Sequence, residues 1–473
     1  MSKRRTHANG GSSRGTPRNA VQGRRVTPSR TPEDTVRTLA AWVVDRTLET
    51  LAPSQVYLTS ALARLDEPDH GLLRELSLGT LRWKRRLDYV ISRASHRSFD
   101  RIEPALRTPL RLGAYQLLFL DRIPHHAAVH EAVDHARIVT HKGGASFTNA
   151  VLRRIARQPT LEAWRVEDKD PVRRMAIENS HPDFIVRRWI QQLGRSATER
   201  LLAANNRPKA MQLLAFRDRG GRELLAEQLI DEGVDVEPSM VSPLGLIVRH
   251  GNPLHSESYR QGRFYVQDEA SQAAALVPGP RPGEHILDAA AAPGGKSFTL
   301  MAVEPTVRPV LADVSPGRTF TIRENLMRLG RELPLLVGDA SRTPLAGSFD
   351  RVVVDLPCTG TGTFRKNPEL KWRISEPEIG RLSRQALRLL SGLADRVRAG
   401  GHLVAITCSL EPEENERVIE RLLKRRKDMM RVDLENELRY PMDRWIVGEG
   451  AWQIAPDDDH DGFTVHVLQR RAG

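Results

Sequence analysis

From Phe264 onward, short and nearly all-apolar segments alternate with segments of helical period, and no other feature restricts the fold of this chain so strongly. The apolar segments are His285–Asp288, Val310–Ala312, Leu335–Val337, Arg351–Asp355 and His402–Thr407. Between them, helices are predicted at Lys296–Ala302, Arg318–Leu329 and Ile379–Arg398. Strands with no polar face must be covered on both sides, which predicts a parallel sheet with helices on each face. Residues 264–473 are therefore expected to form a doubly wound α/β (Rossmann-like) domain. Ligands of such sheets bind beyond the carboxyl ends of the strands.

The preceding chain has a different grammar. Residues 31–158 have helical periods throughout and no alternating strand pattern. Thr31-Pro32-Glu33-Asp34 has the composition of a helix start, and further helices are expected around Leu72–Ser92, Pro109–Leu120, Val129–Val139 and Phe147–Arg157. Residues 159–263 are expected to be a connecting region with a small α/β unit: helices at Ile185–Leu193 and Glu223–Asp231, and a strand at Gly245–Val248. Residues 1–30 hold eight Lys or Arg and no acid, without an apolar period, and are expected to be a disordered basic tail. The expected architecture is thus multi-domain: all-α, then small α/β, then doubly wound α/β.

A net charge of +13 favours a polyanionic partner. Arg82, Lys84, Arg85 and Arg86 form one basic cluster, and Arg153, Arg154 and Arg157 another, both candidates for nucleic-acid contact. No apolar run approaches the ~20 residues of a membrane span, and the N-terminus lacks a secretory pattern, so a cytoplasmic protein without membrane contact is expected. With two cysteines in 473 residues, a disulfide framework or a cysteine-rich zinc site is excluded. His125, His126, His130 and His135 lack a zinc spacing, and no metal is expected. Asp457, Asp458, Asp459 and Asp461 are read as a polar turn, and Glu411, Glu413, Glu414 and Glu416 as a helix first turn.

Chemistry gathers at the predicted strand ends. HILDAAAAPGGKSFTL (285–300) runs from a strand through small residues into a helix, a place where a ligand can approach backbone amides. Asp288, Asp313 and Asp339 close three strands in succession, and acids so placed suit a nucleoside, with Asp313 toward ribose and Asp339 toward adenine. Cys358 and Cys408, the only thiols, follow the next two strands. A thiolate adding to carbon 6 of a pyrimidine makes carbon 5 nucleophilic enough to take a methyl group from a sulfonium. The chemistry does not say which thiol does this. Phe364, Arg365, Lys366, Lys371, Trp372 and Arg373 mix bases with aromatics beside Cys358 and are expected to touch RNA.

These residues carry a resemblance. DAAAAPGGKS, ADVSPGR, VGDAS, DLPCTGTGTFRKNPELKWR and ITCSLEPEENE resemble the successive motifs of S-adenosylmethionine-dependent RNA cytosine-C5 methyltransferases. LRLGAYQLLFLDRIPHHAAVHEAV and GGASFTNAVLRRIARQ resemble the NusB-like RNA-binding domain of the Sun/Fmu (RsmB) branch, which modifies small-subunit (16S) ribosomal RNA. FYVQDEASQAAALV and DGFTVHVLQ match as well. The resemblance implies Cys408 as nucleophile and Cys358 as the residue assisting product release. It places the cofactor at Ala290, Ala291, Ala292, Pro293, Gly294, Gly295 and Lys296, with Asp313, Asp339 and Asp355. The chain departs from the family in having Ala290 where Cys is frequent, and Leu214-Ala215-Phe216 in place of an Arg-Val-Asn element of the connecting region. A non-catalytic, antitermination-like RNA-binding protein and a methyltransferase acting on transfer RNA or DNA are the alternatives. A monomer is expected.

Overall fold

The computed structural model describes residues 34–342, 348–457 and 459–472. Residues 1–33, including the basic tail and most of the expected Thr31-Pro32-Glu33-Asp34 helix start, lie outside them. The helical domain contains α1 (Val36–Thr50), α2 (Ser54–Leu62), α3 (His70–Ser95), α4 (Pro104–Phe119), α5 (His125–Val139) and α6 (Lys142–Ala156). The first helix is capped at Thr35, not Thr31. Thr35 Oγ1 accepts from the Thr38 amide, and Thr38 Oγ1 accepts from the Thr35 amide, so each threonine satisfies an orphan donor of the other. Helix α4 starts at Pro104, five residues before the proline read as its start; Pro109 sits inside it. The core joins Leu39, Leu73, Leu110, Val129 and Leu152 from the successive helices.

The connecting region starts with α7 (Pro171–Glu178), α8 (Asp183–Leu193) and α9 (Arg195–Ala204). It continues as β1 (Gln212–Ala215), α10 (Gly221–Asp231), β2 (Asp235–Pro238), β3 (Gly245–His250), α11 (Glu257–Arg260) and β4 (Phe264–Val266). These strands form an antiparallel sheet in the order β2-β3-β1-β4, with Leu213 opposite both Leu246 and Val266. The expected boundary at 264 is therefore corrected. Phe264–Val266 is the edge strand of the small sheet, and the large domain begins after it. Leu213 and Ala215 face α10, while Leu214, Phe216 and Tyr265 pack into the core of the large domain. With both faces of β1 buried, the period-2 signal vanishes, so this strand is invisible as an alternation.

The large domain contains α12 (Glu269–Ala275), β5 (His285–Asp288), α13 (Gly295–Val303), β6 (Arg308–Asp313), α14 (Pro316–Arg328), β7 (Leu335–Val337), β8 (Phe349–Asp355), α15 (Glu376–Leu393), β9 (Val397–Thr407), α16 (Glu416–Arg425), β10 (Met429–Arg431), α17 (Leu434–Glu437), β11 (Ile446–Gly448), β12 (Ala451–Ile454) and β13 (Phe463–Arg470). The strand order is β11-β12-β13-β9-β8-β5-β6-β7, with β10 on β13. Strands β7 to β9 in this order are parallel; β13 runs antiparallel to β9. The chain steps from β5 outward to β7 and then returns to place β8 on the other side of β5. That reversal opens a crevice at the carboxyl ends of β5 and β8.

The helical domain is docked on the large domain through the segment after Cys358. Trp372 Nε1 donates to Leu81 O at 2.7 Å, Arg82 Nη2 to Arg365 O at 2.9 Å, and Glu369 Oε1 accepts from the Ser54 amide at 3.0 Å. Lys371 is wholly buried; its Nζ donates to Asn206 Oδ1 at 2.6 Å, and burial drives its pKa far down. Arg85 donates to His181 O and pairs with Asp183, and Arg86 donates to Leu161 O. Two expectations are corrected here. The Arg82–Arg86 cluster and Phe364, Arg365, Lys371 and Trp372 do not form an RNA surface; they are the bracket between domains. Of the second group, Lys366 alone is exposed, and Arg373 and Trp372 are partly so.

Buried histidines give the fold a pH dependence. His181, His402 and His466 are nearly inaccessible, and burial depresses each, to about 4 for His402 and about 3 for His466. A group depressed in the folded state contributes stability above its unfolded pKa, near 6.5, and loses it as pH falls. Three such groups predict a slope of about 4 kcal/mol per pH unit once the unfolded histidines are protonated, below about pH 6. Denaturant titrations at successive pH values should show this decline, and His466→Gln should reduce the slope by about one third.

Candidate active site

The loop after β5 is shaped by its small residues. The Ala289 amide bonds Val353 O and the Ala291 amide bonds Ala312 O, both at 2.9 Å, so the loop is tied to the strands on either side. Gly294 has φ +110°, and a Cβ there would lie 2.4 Å from the Phe298 ring. Helix α13 opens directly behind it. Its first turn buries Ser297, whose hydroxyl donates to Asp288 at 2.7 Å; burial pushes this carboxyl up to about 7. Asp288 thus anchors the helix. Lys296 reaches the other way, donating to Ser271 Oγ at 3.0 Å and to Asp355 Oδ2 at 3.1 Å.

Asp313 ends β6 as expected, while Asp339 lies two residues past the end of β7. Asp313 is buried, accepts from the Ala292 and Ser315 amides, and pairs with Arg318 at 3.1 Å. Asp339 accepts from the Ser341 amide and hydroxyl. A cleft of about 270 Å³ opens at the loop after β5. Its lining includes Ala291, Ala292, Pro293, Gly295, Lys296, Asp355 and Cys408 of the predicted residues, with Tyr265, Gln267, Asp268, Ser271, Thr363 and Phe463. Ala290, Gly294, Asp313, Asp339 and Cys358 stand outside that lining. Ala290 packs into the core beneath the loop.

The two thiols meet. Cys358 Sγ and Cys408 Sγ are 3.6 Å apart, and both residues are partly exposed. They are held at that distance by a carboxylate. Glu414 accepts from the Thr359 amide at 2.9 Å, the Thr359 hydroxyl at 2.7 Å and the Ser409 hydroxyl at 2.6 Å, joining the residues that follow the two cysteines. The charges around the pair are unequal. The thiol–thiol bond, burial and the Glu414 carboxylate raise Cys358 well above the usual thiol range. Cys408 is lowered by accepting the bond from Cys358, helped by Thr363 and Lys296, against burial and Asp355. Cys408 is therefore the thiol that ionises first.

Glycine is required behind this pair. The Gly362 amide donates to Cys408 O at 2.9 Å, and Gly362 O accepts from the Gly462 amide at 2.7 Å. A Cβ on Gly362 would lie 2.5 Å from Gly462 O and 3.0 Å from Cys408 O. Both obstacles are backbone, so Gly362→Ala must displace the Cys408 loop. A loss of at least about 10²-fold in kcat is expected, since a misplacement of ~1 Å is worth that much; steady-state rates on the folded variant check it.

Several groups of the site were missed from sequence. The acidic run 411–416 is corrected: helix α16 begins at Glu416, so only that residue sits in the first turn. Glu411 and Glu414 are buried brackets. Asp461, read as part of a polar turn, is buried and pairs with Lys209 at 3.2 Å and Arg365 at 3.5 Å; Asp458 lies outside the described residues. The available signal was proximity: Glu414 lies six residues from Cys408, and Asp461 two from a strand facing it. Among the described residues, no three potential ligands come together to hold a metal ion, and no helix is long and apolar enough to cross a membrane.

The loop fits a nucleoside-bearing sulfonium. A Cβ on Gly295 would crowd the Gln267 amide at 3.2 Å, so the small residues keep a cradle open at the helix N-terminus. Asp313 ends the next strand and Asp339 follows the one after by two residues, and the Cys408 thiol lines the cleft.

The family model described as 16S rRNA methyltransferase RsmB/F matches residues 275–469, the NusB family matches 33–157, and the ferredoxin-like domain of RsmF/B-like methyltransferases matches 181–255. The chain is 33% identical over 449 residues to a probable ribosomal RNA small subunit methyltransferase B of Bacillus subtilis, covering 92% of this chain and 99% of that one. It is 33% identical to ribosomal RNA small subunit methyltransferase B of Pseudomonas syringae, covering 87% of this chain and 91% of that one. The crystal structure of PH0851 superposes with a TM-score of 0.76 at 26% identity, covering 92% and 99% of the two chains. With its NusB-like domain, ferredoxin-like connector and thiol-bearing Rossmann-like domain in this order, the chain belongs to the RsmB/F family of S-adenosylmethionine-dependent 16S rRNA methyltransferases.

Proposed function

We propose that this chain methylates carbon 5 of one cytosine in 16S ribosomal RNA through a covalent adduct between Cys408 and carbon 6. The observation that carries the reading is the thiol pair at 3.6 Å, with its more acidic member facing the cleft shared by Lys296 and Asp355. S-adenosylmethionine, when bound, supplies an electrophilic methyl group. The residues that would hold it are Ala290, Ala291, Ala292, Pro293, Gly294, Gly295 and Lys296 of the loop, with Asp313 and Asp339 at the neighbouring strand ends.

The rest is done by this chain. Asp355, partly exposed and held by Lys296, accepts hydrogen bonds from the amino edge of the flipped cytosine. The Cys408 thiolate adds to carbon 6, and carbon 5 becomes the nucleophile. After methylation, water takes the carbon-5 proton, its electron pair re-forms the carbon 5–carbon 6 double bond, and the carbon–sulfur bond breaks to return the Cys408 thiolate. Cys358, kept protonated beside Glu414, donates a hydrogen bond to the departing sulfur.

RNA is gripped on the helical domain. Between α5 and α6 lies a groove of about 1300 Å³, lined by His126, His130, Arg137, Lys142, Arg153 and Arg157. Phosphate contacts there predict that Arg153→Ala with Arg157→Ala weakens RNA binding and reduces its salt slope by about two, while kcat is retained. Filter binding across a salt series checks this. The function itself is tested by transfer of isotopically labelled methyl to unmodified 16S rRNA, followed by nuclease digestion. The expected product is 5-methylcytidine at one position; label in any other nucleoside overturns the reading.

A further inference from the structure

Two thiols sit within one hydrogen bond of each other, partly open to solvent, with no other sulfhydryl in the chain. Methylation uses them as nucleophile and proton donor, but the same geometry supports a different reaction. We infer that Cys408 and Cys358 also form a hydroperoxide-reactive dithiol, in which Cys408 is the oxidised residue and Cys358 resolves it to an internal disulfide that switches methylation off. The inference rests on the reading of Cys408 as the reactive sulfur of the site.

Three observations support it. Cys408 lines the cleft, so a small oxidant reaches it without opening the fold, whereas Cys358 is outside the lining. The pair is asymmetric: the bond from Cys358 favours the thiolate at Cys408 more than Asp355 opposes it, and Glu414 opposes a thiolate at Cys358, which separates attacking and resolving roles. The sulfurs must approach from 3.6 Å to ~2.0 Å, a movement within reach of side-chain rotation. The Glu414 bonds to Thr359 and Ser409 keep the two loops from separating.

The chemistry balances with a hydroperoxide as oxidant. The Cys408 thiolate attacks one peroxide oxygen; the sulfur–oxygen bond forms, the oxygen–oxygen bond breaks, and hydroxide leaves. Sulfur loses two electrons and the peroxide gains them. Cys358 sulfur then attacks Cys408 sulfur, expelling the second hydroxide, and the protons of both thiols complete two waters. In this state no thiolate remains to add to cytosine.

The test uses the full chain, reduced and then exposed to one equivalent of hydrogen peroxide without RNA or methyl donor. It is quenched with N-ethylmaleimide and weighed intact. The expected result is loss of both maleimide adducts, a mass about 2 Da below the reduced chain, and a monomeric band on a non-reducing gel. Methyl transfer should fall at least 10-fold and return with dithiothreitol. Cys358→Ala should instead accumulate a sulfenic acid at Cys408 that dimedone captures. Retention of both adducts with full activity overturns the inference, as does oxidation of Cys408 to a sulfinate while Cys358 stays alkylatable, or a disulfide between separate chains. The two readings fail separately. A disulfide in a chain whose Cys408→Ala variant still methylates would overturn the methylation mechanism alone; peroxide resistance with an inactive Cys408→Ala would overturn only the dithiol.

Discussion

Cys408→Ala is expected to lower methyl transfer to 16S rRNA by at least about 10⁴-fold, because the nucleophile has no substitute within the cleft. The other thiol stands 3.6 Å behind it and outside the cleft lining, so Cys358 cannot replace it. Cys358→Ala should behave differently. The Cys408 sulfur would still add to cytosine and carbon 5 would still be methylated, but the hydrogen bond that favours departure of the sulfur would be gone. Turnover should stall with protein bound to RNA, visible as a band that survives a denaturing gel. The hydrogen bond between the two sulfurs chiefly sets this asymmetry, and the Glu414 carboxylate adds to it at Cys358. If Cys408→Ala produced the band and Cys358→Ala did not, the two roles would be exchanged.

Arg188→Ala should destabilise the protein by about 3–5 kcal/mol, the cost of leaving a buried charge unpaired. Arg188 of the connecting region bonds the Glu411 and Glu413 carboxylates, and Glu411 is fully inaccessible. The remaining partner of Glu411 would be Trp189 Nε1 at 3.0 Å, one neutral donor for a carboxylate. Glu411 lies three residues past Cys408, and its amide bonds Ser409 Oγ, so the loss reaches the catalytic loop. Adding Glu411→Gln to Arg188→Ala removes the unpaired charge and should recover about half of the stability. Guanidinium denaturation of the single and double variants measures both effects; a loss below about 1 kcal/mol in Arg188→Ala would show that the pair contributes little.

What could be seen in the sequence follows the range of the interaction that forms each feature. The strands β5, β6, β8 and β9 were legible because burial on both faces makes them apolar without interruption, and the ligand edge follows from their direction. The cysteines were legible because only two exist. Charge was misleading wherever its partner is distant in the chain. Lys371, Arg365 and Arg82 look RNA-facing, yet Lys371 bonds Asn206 and Arg82 the Arg365 carbonyl across domain boundaries, while Arg365 itself bonds the Asp457 carbonyl 92 residues on. Glu411 finds Arg188 across 223 residues, and no local pattern announces such a pair. The helix start at Thr31 was misplaced by four residues because Thr31 and Thr35 offer the same capping chemistry; the reciprocal bond with Thr38 decides for the second. Strands β10, β11 and β12 are three or four residues long, too short for a period to register.

The sulfur that bonds to the RNA can be identified directly. Native enzyme would be incubated with methyl donor and 16S rRNA containing 5-fluorocytidine, whose carbon 5 has no proton to lose after methylation. The adduct is then arrested, and digestion with nuclease and protease leaves one nucleotide on one peptide for mass spectrometry. The account predicts a methylated fluorocytidine attached to Cys408. Attachment to Cys358, or no attachment while 5-methylcytidine forms normally on unmodified RNA, would contradict it.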